Sequence, residues 1–424
     1  MNKVLIVTYY WPPSGGAGVQ RWLKFSKYLP EFGWEPIILT VDPESAAYPV
    51  TDFSLKEDLP SSIKVYSTPA INYFGIYKKD ISKIPSAGFA NSIDNTLKGK
   101  LLRFIRGNFF LPDPRKGWNK YAFKKACELI ETEGIKNIIT TSPPHSTQLV
   151  GLKIKKKYPA LNWIADLRDP WTDIYYYKQF YPTFFSKLID LGYEESVLRK
   201  ADKIITVGAS LKNLFSAKVK GIESKTEVIT NGYDKDDFSG MIAETPSKFT
   251  ITYVGTLSDI YPVDGFLNAL YSFKEKGNEF ILRFIGTVSQ KQKDLIQSKT
   301  GASIVEFIPY VDHTEAIKYM LNTSVLLLII PDHQSNKSII TGKLFEYLAS
   351  GKPIVCLGPA DGDAAVIIEI TGHGITFSYA DSKGISEYLS TLISGISIIE
   401  KRSPEVFSRM ELTRKIIPLF SNCT

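Results

Sequence analysis

Short β-branched and aliphatic runs alternate along the chain with longer stretches of helical period, the rhythm of parallel sheets flanked by helices. In the first half these runs fall at 4–8, 35–41, 63–66, 137–141, 162–166, 203–207 and 226–230. In the second half they fall at 249–255, 280–286, 304–308, 325–330, 353–357 and 374–377. Most of the first-half runs end in Gly, Pro, Ser or Asp, and α/β sheets hold ligands in the loops that leave the carboxyl ends of their strands. The pattern predicts two α/β domains, 1–233 and 249–400, joined by a polar linker at 234–248 that contains Gly240 and Pro246, and followed by a closing helix within 401–424.

The segment 73–125 breaks the rhythm, being far longer than the usual connection between strands, and reads as an insertion with helices of its own. Its charge is concentrated: residues 76–125 hold twelve Lys or Arg against three Asp or Glu, net +9, while the whole chain of 424 residues carries +7. Leu97, Leu101, Leu102, Phe104, Ile105, Phe109 and Phe110 interleave there with Lys98, Lys100, Arg103 and Arg106. Such a composition suits a basic amphipathic helix that faces an acceptor or lies on an anionic membrane, and equally an ordinary solvated surface helix. Elsewhere composition excludes more than it selects. With 44% hydrophobic and 22% charged residues the chain is neither disordered nor low-complexity. Three cysteines, Cys127, Cys356 and Cys423, are too few and too scattered for a disulfide framework, which fits a cytoplasmic protein. The N-terminal apolar run reads as a buried first strand, and no apolar stretch approaches the ~18 residues of a membrane span, so membrane contact is expected to be peripheral. Neither nucleic-acid binding nor a metal site is expected: His313, His333 and His373 lack metal-ligand spacing.

Two glycine-framed segments carry candidate chemistry. Gly15, Gly16 and Gly18 follow the first strand and open a helix, where backbone N–H groups meet an anion. A dinucleotide fingerprint would place glycine at Arg21, so the acidic Asp42 after the second strand supports a nicotinamide enzyme only weakly. In the second half Thr341-Gly342-Lys343 opens a short helix that Gly351 closes, with Pro353 starting the next strand. Lys343 and Glu346 are one turn apart, placing a cation for a diphosphate at the helix start and a carboxylate for ribose hydroxyls beyond it.

The Gly15-Gly16 turn, the segment 228–234, the Tyr253-Val254-Gly255-Thr256-Leu257 start of the second half and the unit from Lys343 to Pro353 together resemble glycosyltransferase family 4, across nearly the whole chain. The resemblance implies the GT-B fold: two facing Rossmann-like domains with parallel sheets and an interdomain cleft, and a closing helix that crosses back to the first domain. It implies a nucleoside diphosphate sugar, UDP- or GDP-linked, as donor substrate with no further cofactor. Gly255 and Thr256 would line the phosphates, Lys343 would neutralise them, Glu346 would bind the ribose, and the Gly15-Gly16-Gly18 loop would close over the donor. Two departures stand out: the earlier glutamate of the family's pair is Ser338, and the basic residue after Gly-Thr-Leu is replaced by Ser258-Asp259. His145, after Ser142-Pro143-Pro144, and Asp169, in Asp166-Leu167-Arg168-Asp169, sit at first-domain strand ends, as in bacterial members that build surface polysaccharides. They are the candidate catalytic residues, although His145 could be structural and Arg168 could simply pair with Asp169. The activity so implied is retaining, metal-independent transfer of a hexosyl group to a glycan or lipid-linked acceptor at the inner face of the plasma membrane. A nucleotide-sugar epimerase on the same fold and a non-catalytic nucleotide-sugar-binding subunit are the rivals.

Overall fold

The computed structural model describes residues 1–56, 58–73, 96–395 and 400–421 of the chain. Its contacts divide it into two compact units, Met1–Thr230 with Arg409–Thr424, and Asn231–Ser408.

The first unit is a seven-stranded parallel sheet of β1 (Asn2–Val7), β2 (Trp34–Val41), β3 (Lys64–Thr68), β4 (Asn137–Ser142), β5 (Asn162–Leu167), β6 (Lys203–Thr206) and β7 (Thr226–Val228), in the order β3-β2-β1-β4-β5-β6-β7. Helices α1 (Ala17–Tyr28), α2 (Leu97–Phe109), α3 (Asn119–Glu133), α4 (Ser146–Lys157), α5 (Phe184–Lys200) and α6 (Ala209–Lys218) connect the strands. β4 and β5 are buried at every position, the consequence of continuous Ile, Thr, Ala and Trp runs covered by helices on both faces. On α1, Val19, Trp22, Leu23 and Ser26 are buried at helical spacing, which seats that helix on the sheet.

The second unit repeats the plan with β8 (Thr250–Val254), β9 (Ile281–Ile285), β10 (Val305–Ile308), β11 (Val325–Ile329), β12 (Ile354–Leu357) and β13 (Gly374–Phe377), ordered β10-β9-β8-β11-β12-β13 and parallel throughout. Its helices are α7 (Asp264–Glu275), α8 (Gln290–Thr300), α9 (His313–Leu321), α10 (Gly342–Ser350), α11 (Asp363–Thr371) and α12 (Ser382–Ile393). In α10 the buried Leu344, Phe345, Tyr347 and Leu348 face the sheet, each apolar side chain contributing roughly 1.5–3 kcal/mol of burial. Gly351, at φ 68, ends the helix where the sequence expects it to end.

All thirteen apolar runs are strands, displaced by a residue or two at their ends. Two boundaries differ from the expected ones. The unit boundary lies between Thr230 and Asn231, upstream of the expected linker, because Tyr233 and Phe238 pack into the core beside α10 and Asp234 caps a 3-10 turn, Lys235–Phe238. The last helix, α13 (Arg409–Ile416), packs on α1, so the first unit regains the chain at Arg409 rather than at 401. Within the basic insertion, Lys78, Lys79, Lys83, Asp80 and Asp94 lie outside the described residues, as does Cys423; Cys127 and Cys356 are buried free thiols.

Candidate functional site

Each sheet has one place where the strand order reverses direction, and α/β sheets hold ligands at the carboxyl side of that place. In the second unit it lies between β8 and β11. The chain leaves β8 through Gly255, whose φ of 141 and lack of a side chain are both needed, since a Cβ there would lie 3.2 Å from Lys343 Cε. Lys343 thus lies along the Gly255 backbone in the first turn of α10, and it makes no ion pair or hydrogen bond with the described residues. Thr341, the residue that starts α10, does not use its hydroxyl as a cap: Oγ1 is buried without a hydrogen-bond partner. An unpaired ammonium, an unsatisfied hydroxyl and the N–H groups of a helix start therefore lie within one turn, the kind of donor set an anion requires.

The Tyr347 hydroxyl fixes this arrangement from below. It accepts from Val254 N at 3.0 Å and donates to Leu327 O at 3.4 Å, tying α10 to the strands on both sides of the reversal. One turn beyond Lys343, the half-buried Glu346 carboxylate meets His313 Nε2 at 3.0 Å. His313 is the first residue of α9, after β10, and sequence spacing gave it no role; only the sheet order brings that helix start beside α10. Thr256 contributes its backbone, accepting from the Tyr253 hydroxyl at 2.9 Å. The two departures from the family pattern also have places. Ser338 turns back on its own loop and donates to Ser335 O at 3.0 Å, while Asp259 accepts from the Ser289 hydroxyl near the start of α8.

In the first unit the reversal lies between β1 and β4. Gly15, Gly16 and Gly18 follow β1, and the loop is fastened to residues 50–52 by Gly15 N to Val50 O at 2.9 Å and Asp52 N to Pro13 O at 2.8 Å. Here Arg21 and Arg168 are bound within the protein. Arg21, with no exposed surface, pairs with the equally buried Asp166 at 3.1 Å and donates to Thr230 O and Ile229 O, both at 2.8 Å. Asp166 also accepts from Trp22 Nε1 and Thr141 Oγ1 at 2.7 Å each. Arg21 therefore stands where a dinucleotide fingerprint needs glycine because it is a core clamp. Arg168 donates to Ser142 O and to Gly18 O, both at 2.9 Å, and so locks the three loops together. The alternative of an Arg168–Asp169 ion pair is not what forms: Arg168 is committed to carbonyl oxygens, and the Asp169 carboxyl makes no hydrogen bond or ion pair with the described residues. Burial pushes the Asp169 pKa up, with Arg168 opposing and Asp166 adding to the rise.

His145 precedes α4 with its ring stacked on Trp171 at 4.8 Å, and its Nδ1 is buried without a partner. Burial pulls its pKa down to about 4, so the imidazole is neutral near pH 7. Behind it Trp171 Nε1 donates to Asp190 Oδ1 at 2.8 Å and the Tyr177 hydroxyl to Asp190 Oδ2 at 3.0 Å. Of the four basic residues expected on the outward face of the insertion, Lys98 and Lys100 are exposed and Arg103 and Arg106 are half-buried, Arg106 lying against Phe180. Its guanidinium lies 3.5 Å over the Phe180 ring, and burial lowers its pKa to about 10. Among the described residues no three His, Cys, Asp or Glu side chains gather as a metal-ligand set.

Residues 248–395 match the family model described as Glycosyl transferases group 1. No curated protein matches the chain. Among solved structures, a glycosyltransferase from Rickettsia africae is 15% identical, with a TM-score of 0.62 over 99% of this chain and 97% of that one. The catalytic domain of starch synthase IV from Arabidopsis thaliana, bound to ADP and acarbose, is 12% identical, with a TM-score of 0.59 over 99% and 98%. Sucrose-phosphate synthase from Thermosynechococcus elongatus is 13% identical, with a TM-score of 0.58 over 99% and 95%. With two parallel Rossmann-like sheets of seven and six strands, and a group 1 glycosyltransferase match that lies within the second unit, the chain has the GT-B fold of glycosyltransferases.

Proposed function

We propose that the chain transfers a hexosyl group from a UDP- or GDP-linked sugar to the hydroxyl of a glycan or lipid-linked acceptor in cell-surface glycan synthesis, in the cytoplasm at the inner face of the plasma membrane. The observation that carries this reading is the anion cradle of α10, where Lys343 stands unpartnered along Gly255, the Thr341 hydroxyl two residues earlier is unsatisfied, and Glu346 lies one turn beyond. A nucleoside diphosphate has a phosphate end and a ribose end at about that separation, and the group 1 match lies on the same residues. The starch synthase relative is bound to ADP, a ligand of the same class.

The chemical difficulty is charge: a cationic sugar centre develops while a diphosphate leaves. Lys343 and the α10 N–H groups stabilise the leaving diphosphate and grow in value as its charge grows. His145, neutral at working pH, hydrogen-bonds a sugar hydroxyl, and the free Asp169 carboxylate orients the acceptor hydroxyl. Attack on the face the diphosphate leaves, with that phosphate taking the acceptor proton, retains configuration and needs neither a dedicated base nor a metal. Thermal-shift measurements against UDP, GDP, ADP and CMP and their sugars identify the donor, since a ligand of the folded state raises its stability. NMR of the product from a lipid-linked acceptor then reads the anomeric configuration, with and without EDTA. Conversion of donor to an epimer in the absence of acceptor, or donor binding with neither transfer nor hydrolysis, would refute the transferase reading.

A further inference from the structure

Helix α2 is inverted relative to an ordinary surface helix. Its glycines and arginines face the protein: a Cβ on Gly107 would lie 2.2 Å from Phe180 O, Arg106 covers the Phe180 ring, and Arg103 lies 5.7 Å over the Tyr181 ring. Four of its six large apolar side chains face solvent, Leu97, Leu101, Phe104 and Phe109 being between 38% and 85% exposed, while Leu102 and Ile105 are half-buried. At 100° per residue Leu97, Leu101, Phe104 and Asn108 form one stripe, with Lys98 and Lys100 on its two flanks. The stripe ends at Asn108, where α2 is tied to the start of α5. Asn108 Oδ1 accepts from Thr183 N at 2.7 Å and from Ser186 Oγ at 2.8 Å, and Nδ2 donates to Tyr181 O at 3.1 Å. The first two turns of α5 continue the apolar surface: Phe184, Phe185, Leu188 and Ile189 are between 49% and 74% exposed.

Burial of a glycine-and-arginine face with eight large apolar groups left outside is the reverse of what the hydrophobic effect selects in water alone. The charge around these groups says what covers them. Residues 97–109 and 178–189 contain six Lys or Arg and no Asp or Glu, and Lys98, Lys100, Lys178 and Lys187 are exposed. A second copy of this chain would set these like charges against each other, whereas an anionic bilayer takes the rings and aliphatic groups below its headgroups and the ammonium groups among them. We propose that α2 and the first turns of α5 form a two-helix membrane-docking surface selective for anionic lipid. This extends the lipid-linked acceptor reading, on which its purpose rests, and it moves the apolar contribution from the insertion alone to a joint with α5.

The test is co-sedimentation of the full chain with vesicles of phosphatidylcholine alone and of phosphatidylcholine mixed with phosphatidylglycerol. The parent should bind the mixed vesicles and bind phosphatidylcholine far more weakly. A Leu101→Ser, Phe184→Ser, Phe185→Ser variant, altered only at exposed positions, should bind about tenfold or more weakly with an unchanged circular dichroism spectrum. Lys98→Gln with Lys100→Gln should lose binding most at low salt. Equal binding by the serine variant, equal binding to both vesicle types, or a dimer that the serine variant dissolves and that binds no vesicle would each overturn the proposal. UDP and GDP thermal shifts on the same samples separate the two readings: nucleotide binding without vesicle binding sinks the surface alone, and vesicle binding without nucleotide binding sinks the donor site alone.

Discussion

The two sheets carry cations at the same topological position and use them in opposite ways. At the β1/β4 reversal Arg21 and Arg168 donate to Asp166 and to backbone carbonyls, and the other polar groups there are neutral or acidic, His145 and Asp169. At the β8/β11 reversal Lys343 is unpaired among the described residues, and the Thr341 hydroxyl beside it is unsatisfied. A cation satisfied by its own protein stiffens loops, and one left unpaired beside helix N–H groups has the chemistry an anion requires. The contrast gives the arginines scaffold duty and, on the proposed reading, leaves the lysine for the donor's diphosphate.

Substitutions can break that contrast from either side. The largest effect should come from Arg21→Met, which strands the Asp166 carboxylate in the core and should lower unfolding free energy by about 3–5 kcal/mol in urea titrations. Lys343→Ala should leave unfolding nearly unchanged, because it removes no ion pair, yet weaken binding of the nucleoside diphosphate and of its sugar alike by about 2 kcal/mol, read by calorimetry. Unchanged affinity for both would dissolve the distinction between the two edges. His145 sharpens it through pH. Its folded pKa of about 4 lies below the ordinary value of 6.5, so the unfolded chain takes up a proton that the folded one refuses. Its contribution is fully present above pH ~6.5 and is lost on acidification, by about 2 kcal/mol between pH ~7 and ~5; His145→Gln should flatten that part of the stability profile. The smallest effect is expected of His313→Ala, which removes the imidazole that meets the Glu346 carboxylate and should weaken nucleoside diphosphate binding by about 1 kcal/mol. Glu346→Gln should weaken binding whatever the sugar, and the losses from His313→Ala and Glu346→Gln should not add, since the two groups touch.

The period of the apolar runs determined both sheets by itself, since a strand buried on two faces needs a continuous run and a helix seated on a sheet needs a 3.6 period. The α10 unit was equally legible, because Gly342, Lys343, Glu346 and Gly351 lie within one turn or two and local spacing settles which face they share. What sequence could not supply were the partners across the fold. Arg21 lies 145 residues from Asp166, and His313 lies 33 from Glu346; no local period links them, and strand order alone brings them together. Arg106 makes the same point in reverse. Composition put it with Lys98 and Lys100, but the packing of Gly107 on the Phe180 backbone chose which face of α2 turns inward, and that choice laid the arginine over the Phe180 ring and left Leu97, Leu101, Phe104 and Phe109 outside. Composition records how much charge and apolar surface a helix has; only its packing against the 3-10 turn Tyr177–Phe180 and α5 decided which of them meets the outside.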